Sequence, residues 1–423
     1  MNPPRIIFSL ALLTLSAWAD DWPQWRGPQR DGVWREKGIM ESFPPDGLKI
    51  LWRAEAGGGW SSPVVVAGRA FLIDSELKQP KARERVRCFD AASGQQLWIH
   101  AYDVDYPDWA FGADQMGGPT ATSAVVDGKV YSLGANGAVT CLAATSGELL
   151  WNKDLAKDYG AKSFTLRASP LVDGDLLVLI VGGTPGAYVV ALDRNTGREV
   201  WKALEETATN SSPIIVNAGG QRQLIVWTGD SVTSLDPVKG TVLWREAPKT
   251  TSYDANATPV CVGDRLLLSG LMLQLDKDKP GARVLWPENA GPLKRVLSNT
   301  STPWLSGEAV YSATNRGDLV CLEAGSGKEL WHTDKVTDRK SGPSIHLTPN
   351  GDAVFLYTNL GELIRARLSP AGYEEICRAK LIEPGYPFSG RKITWSPPSY
   401  ANRCVFVRNE KEIVCASLAA GPP

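Results

Sequence analysis

The stretch Ala191-Leu-Asp-Arg-Asn-Thr-Gly-Arg-Glu-Val-Trp201 decides how this chain is read. Its offsets, acidic residue to Gly to Trp in steps of four, return at Asp90-Gly94-Trp98, Asp236-Gly240-Trp244 and Glu323-Gly327-Trp331. Ala143-Gly147-Trp151 keeps the spacing without the acid, and Asp276-Gly281-Trp286 is one residue longer on each side of its Gly. Leu368-Gly372-Ile376 has lost both Asp and Trp, and Trp52 ends a copy whose beginning is missing. An Asp binds neighbouring backbone in a turn, and Gly supplies the positive φ the turn requires. The flanking runs alternate apolar and polar residues and are rich in β-branched side chains, so they read as strands. A Trp at the same place in every copy suits packing between units. Copies recurring at roughly 42–53 residues, each with four short strands, predict an all-β propeller.

Working outward, the innermost strand of each copy opens at or beside a small residue, often in a small-Pro pair such as Ser62-Pro63, Ser169-Pro170, Ser212-Pro213, Thr258-Pro259 and Thr302-Pro303. Pro is tolerated at the first residue of a strand. Eight such starts and eight outer-strand ends are present, but the first outer strand has no inner strands before it and the last set has no outer strand after it. The two fragments complete each other, so residues 48–54 are expected to close the ring against 411–418, removing open sheet edges.

The first residues fit a secretory signal. Arg5 precedes the apolar run Ile6–Ala17, and Ala17-Trp18-Ala19 is a small-x-small cleavage site. The expected organisation is therefore a signal peptide over 1–19, a Trp- and Pro-rich lead over 20–47, the propeller over 48–418 and a tail over 419–423. No Cys follows the cleavage site, so a lipid anchor is not expected, and the mature chain reads as periplasmic or secreted. A formal charge of −1 argues against a general nucleic-acid or membrane-surface role. Seven cysteines cannot all pair. Cys88, Cys141, Cys321 and Cys415 share one repeat position that Ala191, Ser234 and Ala366 fill elsewhere, which points to a tight interior slot. Cys404 and Cys415 flank a hairpin, and export would permit them to pair. The lead carries Trp22, Trp25 and Trp34, too aromatic for a disordered tail. It reads as an apolar strap over the propeller or as a partner contact.

The pattern Ala-x-Asp-x-x-Thr-Gly-x-x-x-Trp, complete in Ala191–Trp201, resembles the tryptophan-docking repeat of the pyrroloquinoline-quinone-like (quinoprotein alcohol dehydrogenase-like) propellers, over about residues 48–418. The lead Trp22–Gly32 is similar to the opening of many exported members. The resemblance implies an eight-bladed propeller of four-stranded antiparallel blades. It also implies one of two functions. Quinone-dependent dehydrogenases in the superfamily carry a vicinal Cys-Cys pair and calcium-binding Glu, Asn and Asp. This chain has no Cys-Cys, and its residues do not match those calcium positions. The chain is nearer to non-catalytic members such as the propeller of the outer-membrane protein assembly machinery, although the acylated Cys of that lipoprotein is also absent. The function expected is an exported, non-catalytic scaffold that binds a protein or ligand, with no cofactor. The alternative is a pyrroloquinoline-quinone and calcium dehydrogenase of alcohols or sugars, with Asp254 as its base.

Topology locates a binding face. The loops from an outer strand to the next inner strand, and those between strands two and three, emerge on one face, while the uniform Asp…Gly turns emerge on the other. Long insertions fall on the first face, at Ser75–Arg85, His100–Thr120, Asn152–Leu166, His332–Gly342 and Arg378–Ile393. Charge there is uneven: Asp103, Asp105, Asp108 and Asp114 crowd one insertion, while Lys294-Arg295, Arg339-Lys340 and Arg391-Lys392 lie in others. Near its axis are Trp60, Arg167, Asn210, Asn256 and Thr300, with Lys392 and Trp395 in the same zone. These residues line either a water-filled channel mouth or a ligand pocket in which Arg167 holds an anion and Trp60 or Trp395 stacks. The three histidines are far apart, so a zinc site is not expected.

Overall fold

The structure is a computed structural model that describes residues 20–112, 117–206, 208–247, 256–286, 297, 300–340 and 342–421. Eight four-stranded antiparallel sheets follow one another as blades, with one further two-stranded hairpin, among the described residues. Blade 1 runs from the inner strand Val64–Val66 to the outer strand Gln96–Val104, and blade 2 from Ala124–Val126 to Leu149–Asp154. Blades 3 to 5 start at Leu171–Asp173, Ile214–Ala218 and Val260–Val262. Blades 6 and 7 start at Trp304–Ser306 and Ile345–Asn350. Blade 8 takes three strands from the C-terminus, ending in Glu412–Ser417, and its outer strand Ile50–Glu55 from the N-terminus. The closing pair registers Trp52 against Cys415 and Glu55 against Glu412, as the unmatched fragments require.

The repeated spacing has a precise cause in packing between blades. The Gly of one turn lies under the Trp of the preceding blade. A Cβ added at Gly94 would sit 2.6 Å from the Trp52 ring, at Gly147 2.6 Å from Trp98, and at Gly240 2.5 Å from Trp201. These glycines also hold φ near +70°, where side chains are strained. The indole Nε1 then donates to a carbonyl of the same turn: Trp52 to Ala91 O at 2.9 Å, Trp98 to Ala144 O at 3.1 Å and Trp286 to Ala324 O at 2.8 Å. Asp90 and Asp193 cap their turns by accepting from backbone N–H groups and from Ser93 or Thr196.

The small slot is the other half of this dock. Across the sheet Cys88 faces Trp98, Cys141 faces Trp151, Cys321 faces Trp331, and Ala191 faces Trp201. Only blade 5 departs from the small residue, with the buried Met272 facing Trp286. Burial pushes the Cys88, Cys141 and Cys321 thiols up to about 11, so they are packing groups rather than nucleophiles. Cys404 and Cys415 lie on neighbouring strands as free thiols.

The hydroxyls at the strand starts form a second ring. Ser62 N donates to Thr122 Oγ1, Thr122 N to Ser169 Oγ, Ser169 N to Ser212 Oγ and Thr258 N to Thr302 Oγ1, each at 2.9–3.2 Å and each joining one blade to the next. Short hydroxyl residues are therefore required around the axis, where the blades converge.

The lead segment differs from a simple strap. Trp22 pairs with Val65 of blade 1, Val125 N of blade 2 donates to Pro23 O, and the Trp34 ring stacks on Tyr400 at 5.0 Å. Polar side chains between them also reach the inner strands. Trp25 Nε1 donates to Thr258 Oγ1 at 2.7 Å, and the buried Arg30 donates to Pro170 O at 2.9 Å and Ser169 O at 3.3 Å. The segment is pinned to blades 1, 2, 3, 5, 7 and 8 and plugs the turn-face end of the axial channel. Burial lowers Arg30 to about 9, with the neighbouring Arg26 charge adding to the shift, and lowers Arg26 to about 10 against the opposing pull of Asp31. The proposed signal segment 1–19 lies outside the described residues.

Candidate functional site

Above this plug is a cavity of about 250 Å³, lined by Trp60, Arg167, Asn210, Asn256, Thr300 and Trp395, together with Trp25, Thr120, Ser169, Ser212, Ser344, His346 and Pro397. All but one of the axial residues singled out from the sequence meet here. Each immediately precedes an inner strand, and eight inner strands converge on one axis. Lys392 is the exception: it is exposed on the hairpin Tyr386–Phe388/Arg391–Ile393 and does not line the cavity. The alternation of side chains along this three-residue strand turns it outward, whereas Ile393 beside it is buried. Asp254 lies outside the described residues.

The walls are chemically unequal. On the side of blades 8 and 1, Trp60 and Trp395 stand edge to face with centroids 5.8 Å apart, backed by Tyr386 at 5.1 Å from Trp60 and Phe388 at 4.9 Å from Trp395. Trp395 Nε1 donates to Gly342 O at 3.1 Å, which fixes the ring. On the opposite side, from blades 4 and 5, Asn210 Nδ2 donates to Asn256 Oδ1 at 2.5 Å. Trp25 of the lead segment supplies the floor. His346 Nε2 donates to Trp395 O at 3.0 Å, which places a proton on that nitrogen. Desolvation, opposed by that bond and reinforced by nearby Arg26, pushes His346 down to about 4.

Arg167 is the cation of the site. Its Nε donates to Phe164 O at 3.0 Å. Its side chain is open to the cavity mouth, yet surrounding protein lowers its pKa by desolvation. No ion pair to Arg167 is present among the described residues. Ser344 Oγ is fully buried, lines the cavity and has no hydrogen-bond partner. Sequence reasoning missed Trp25, Ser344 and His346. Trp25 belongs to a lead segment of no regular structure, for which the sequence holds no periodic signal, whereas His346 lies one residue inside the inner strand of blade 7.

The insertions around the mouth are more ordered than their composition suggests. Ser75–Arg85 is not an irregular loop: strands Arg69–Lys78 and Lys81–Asp90 stay paired to Lys78↔Lys81, forming one long hairpin. Its buried Glu84 accepts from Tyr102 Oη at 2.6 Å, Tyr106 Oη at 2.7 Å and Ala135 N at 2.7 Å, and so anchors the next insertion. That insertion presents Trp109, 50% exposed, on Phe164 at 4.6 Å. The basic pairs are divided. Arg339 bonds Asp318 at 2.6 Å and Arg391 spans both oxygens of Asp338 at 2.7 Å, so these two stitch insertions together, while Lys340 and Lys392 stay exposed.

The donor set does not fit a calcium–quinone pair. Every described residue lining the cavity is aromatic, neutral polar, Pro or Arg, and none carries a carboxylate. Among the described residues, no three His, Cys, Asp or Glu side chains converge as a metal site, and no helix is long and apolar enough to cross a membrane.

Comparison with known proteins bears on this geometry. A family model described as outer membrane protein assembly factor BamB matches residues 82–333 and 273–369, more than half of the chain. The outer membrane protein assembly factor BamB of Burkholderia pseudomallei is 27% identical over 248 residues, covering 55% of this chain and 60% of the relative, so the chain spans less than two thirds of that protein. The crystal structure of BamB from Moraxella catarrhalis superposes with a TM-score of 0.60 at 17% identity, covering 89% of this chain and 99% of that one. The quinohemoprotein alcohol dehydrogenase of Comamonas testosteroni superposes with a TM-score of 0.66 at 14% identity, covering 96% and 81%. At such identities the two superpositions establish the fold alone.

Proposed function

Because the chain belongs to the family of outer membrane protein assembly factor BamB, we propose that it is an exported, non-catalytic propeller that holds an envelope partner on its insertion-bearing face. The observation that supports this most is the asymmetry of the ring. Short Asp…Gly turns and the lead plug close one face, while the insertions, exposed Trp109 and the open cavity share the other. A half-exposed aromatic on a rigid, hydrogen-bonded insertion is the kind of residue that dominates binding energy at interfaces. Exposed Asp103, Asp105 and Asp108 precede it in the same insertion, and exposed Lys340 and Lys392 lie in others. Such mixed charge favours orientation of a partner over raw affinity. The same face could expose a ligand in the axial cavity to that partner, with Trp60, Arg167, Asn210, Asn256 and Trp395 as its contacts.

The test is capture from an envelope extract of the native host, using immobilised mature protein. Trp109→Ala is expected to weaken capture by at least about tenfold, equivalent to about 1.4 kcal/mol. Lys340→Glu is expected to slow association with a salt-dependent effect. Lys239→Glu, on the turn face, should change neither. Equal losses from both faces, at unchanged melting temperature, would refute the assignment of the binding face.

A further inference from the structure

We propose that the axial cavity is a binding site for a single-ring sugar acid, a hexuronate, whose carboxylate meets Arg167 while the apolar face of its ring stacks on Trp60 or Trp395. The inference rests on the reading of this face as the binding face and adds the chemical class of the ligand.

Four observations narrow that class. A volume of about 250 Å³ lies below the roughly 300–1,000 Å³ of pockets for drug-sized ligands, so one ring fits and a fused polycycle does not. Charge comes next. Arg167 is the single charged side chain among the described lining residues, partly desolvated and without an ion pair, so an anion is favoured and a cation is repelled. The aromatic wall alone would suit a quaternary ammonium ion, but the guanidinium in the same cavity opposes it. An amino acid is disfavoured on similar grounds, because no carboxylate among the described lining residues answers its ammonium group.

Hydrogen bonding separates the remaining anions. The wall opposite the indoles presents the amides of Asn210 and Asn256, and Ser344 brings a fully buried hydroxyl with no partner in the protein. An aromatic carboxylate would cover these groups without bonding to them, leaving each desolvated and unpaired. A polyhydroxylated ring satisfies them and still has an axial C–H face for the indoles. The two walls come from blades on opposite sides of the ring, so the apolar and the polar surfaces of the cavity face one another.

The experiment titrates the mature chain by tryptophan fluorescence and calorimetry with D-galacturonate, D-glucose and benzoate. Galacturonate is expected to bind with one site per chain, at least tenfold more tightly than either glucose or benzoate. Arg167→Gln should reduce galacturonate affinity to that of glucose and leave glucose unchanged. Ser344→Ala should weaken both sugars and leave benzoate unaffected; thermal unfolding of each variant confirms that it folds. Benzoate binding as tightly as galacturonate, indifference to Arg167→Gln, or no saturable binding would overturn the proposal. Partner capture is read separately: capture that persists without sugar binding removes the hexuronate and leaves the platform, and sugar binding that persists without capture does the reverse.

Discussion

The outer belt of this ring and its axial mouth arise from the same repeat, yet they behave oppositely. In the belt, one arrangement returns in most blades: an indole rests on the glycine of the next turn, opposite a small residue across its own sheet, with blade 5 the exception, where Met272 faces Trp286. At the mouth, the equivalent position is Trp60, Thr120, Arg167, Asn210, Asn256, Thr300, Ser344 and Trp395 in successive blades. Repetition marks the position where every blade meets the same neighbour. Variation marks the position where blades meet each other's side chains across an open axis, and no common packing constraint selects the residue. The belt therefore holds the fold together, and the mouth is free to acquire chemistry.

The largest expected effect lies in the belt. Trp201 is 8% exposed, so Trp201→Ala should cost about 3–5 kcal/mol in urea unfolding. Gly240→Ala, which places a methyl group 2.5 Å from the same ring on a backbone at φ +71°, should cost about 1–3 kcal/mol. If both fall below about 0.5 kcal/mol, the belt is decorative and the contrast with the mouth collapses.

Acidification probes the mouth. His346 has a folded pKa of about 4, below its ordinary 6.5, through desolvation. The unfolded chain thus binds more protons between those values. This stability is present above about pH 6.5 and is lost as pH falls towards 4. Arg26 faces His346 from the lead segment and opposes its protonation. Asp90 and Asp193, held low by hydrogen bonds from Ser93 and Thr196, act in the same direction at still lower pH. Melting temperature should fall between pH 7 and 5, and His346→Gln should flatten that fall. An identical slope in the variant would assign the effect elsewhere.

The smallest effect separates two belt positions. Trp52 Nε1 donates to Ala91 O, whereas Trp201 Nε1 has no partner. Trp52→Phe should therefore exceed Trp201→Phe by about 0.5–1.5 kcal/mol. Equal costs would show that the indole packs by area alone.

The blade number, the mixed-terminus closure and the small slot were legible in the sequence, because each follows from spacing that local chemistry imposes: Asp and Gly make the turn, and the unmatched strands must pair. Most of the axial residues were legible for a related reason, since a residue just before an inner strand has only one place to go. That the Trp docks between blades was legible too, but which glycine it would rest on was not, because the partners belong to different copies and no spacing within a copy records which neighbour a ring will touch. Nor was the lead plug, whose Trp25 and Arg30 bond to blades 5 and 3 from a segment without periodicity. Lys392 shows the limit most simply: sequence distance placed it beside Trp395, but a short antiparallel hairpin turns alternate residues to opposite sides, and only the register of Pro387 against Lys392 decided which side it took.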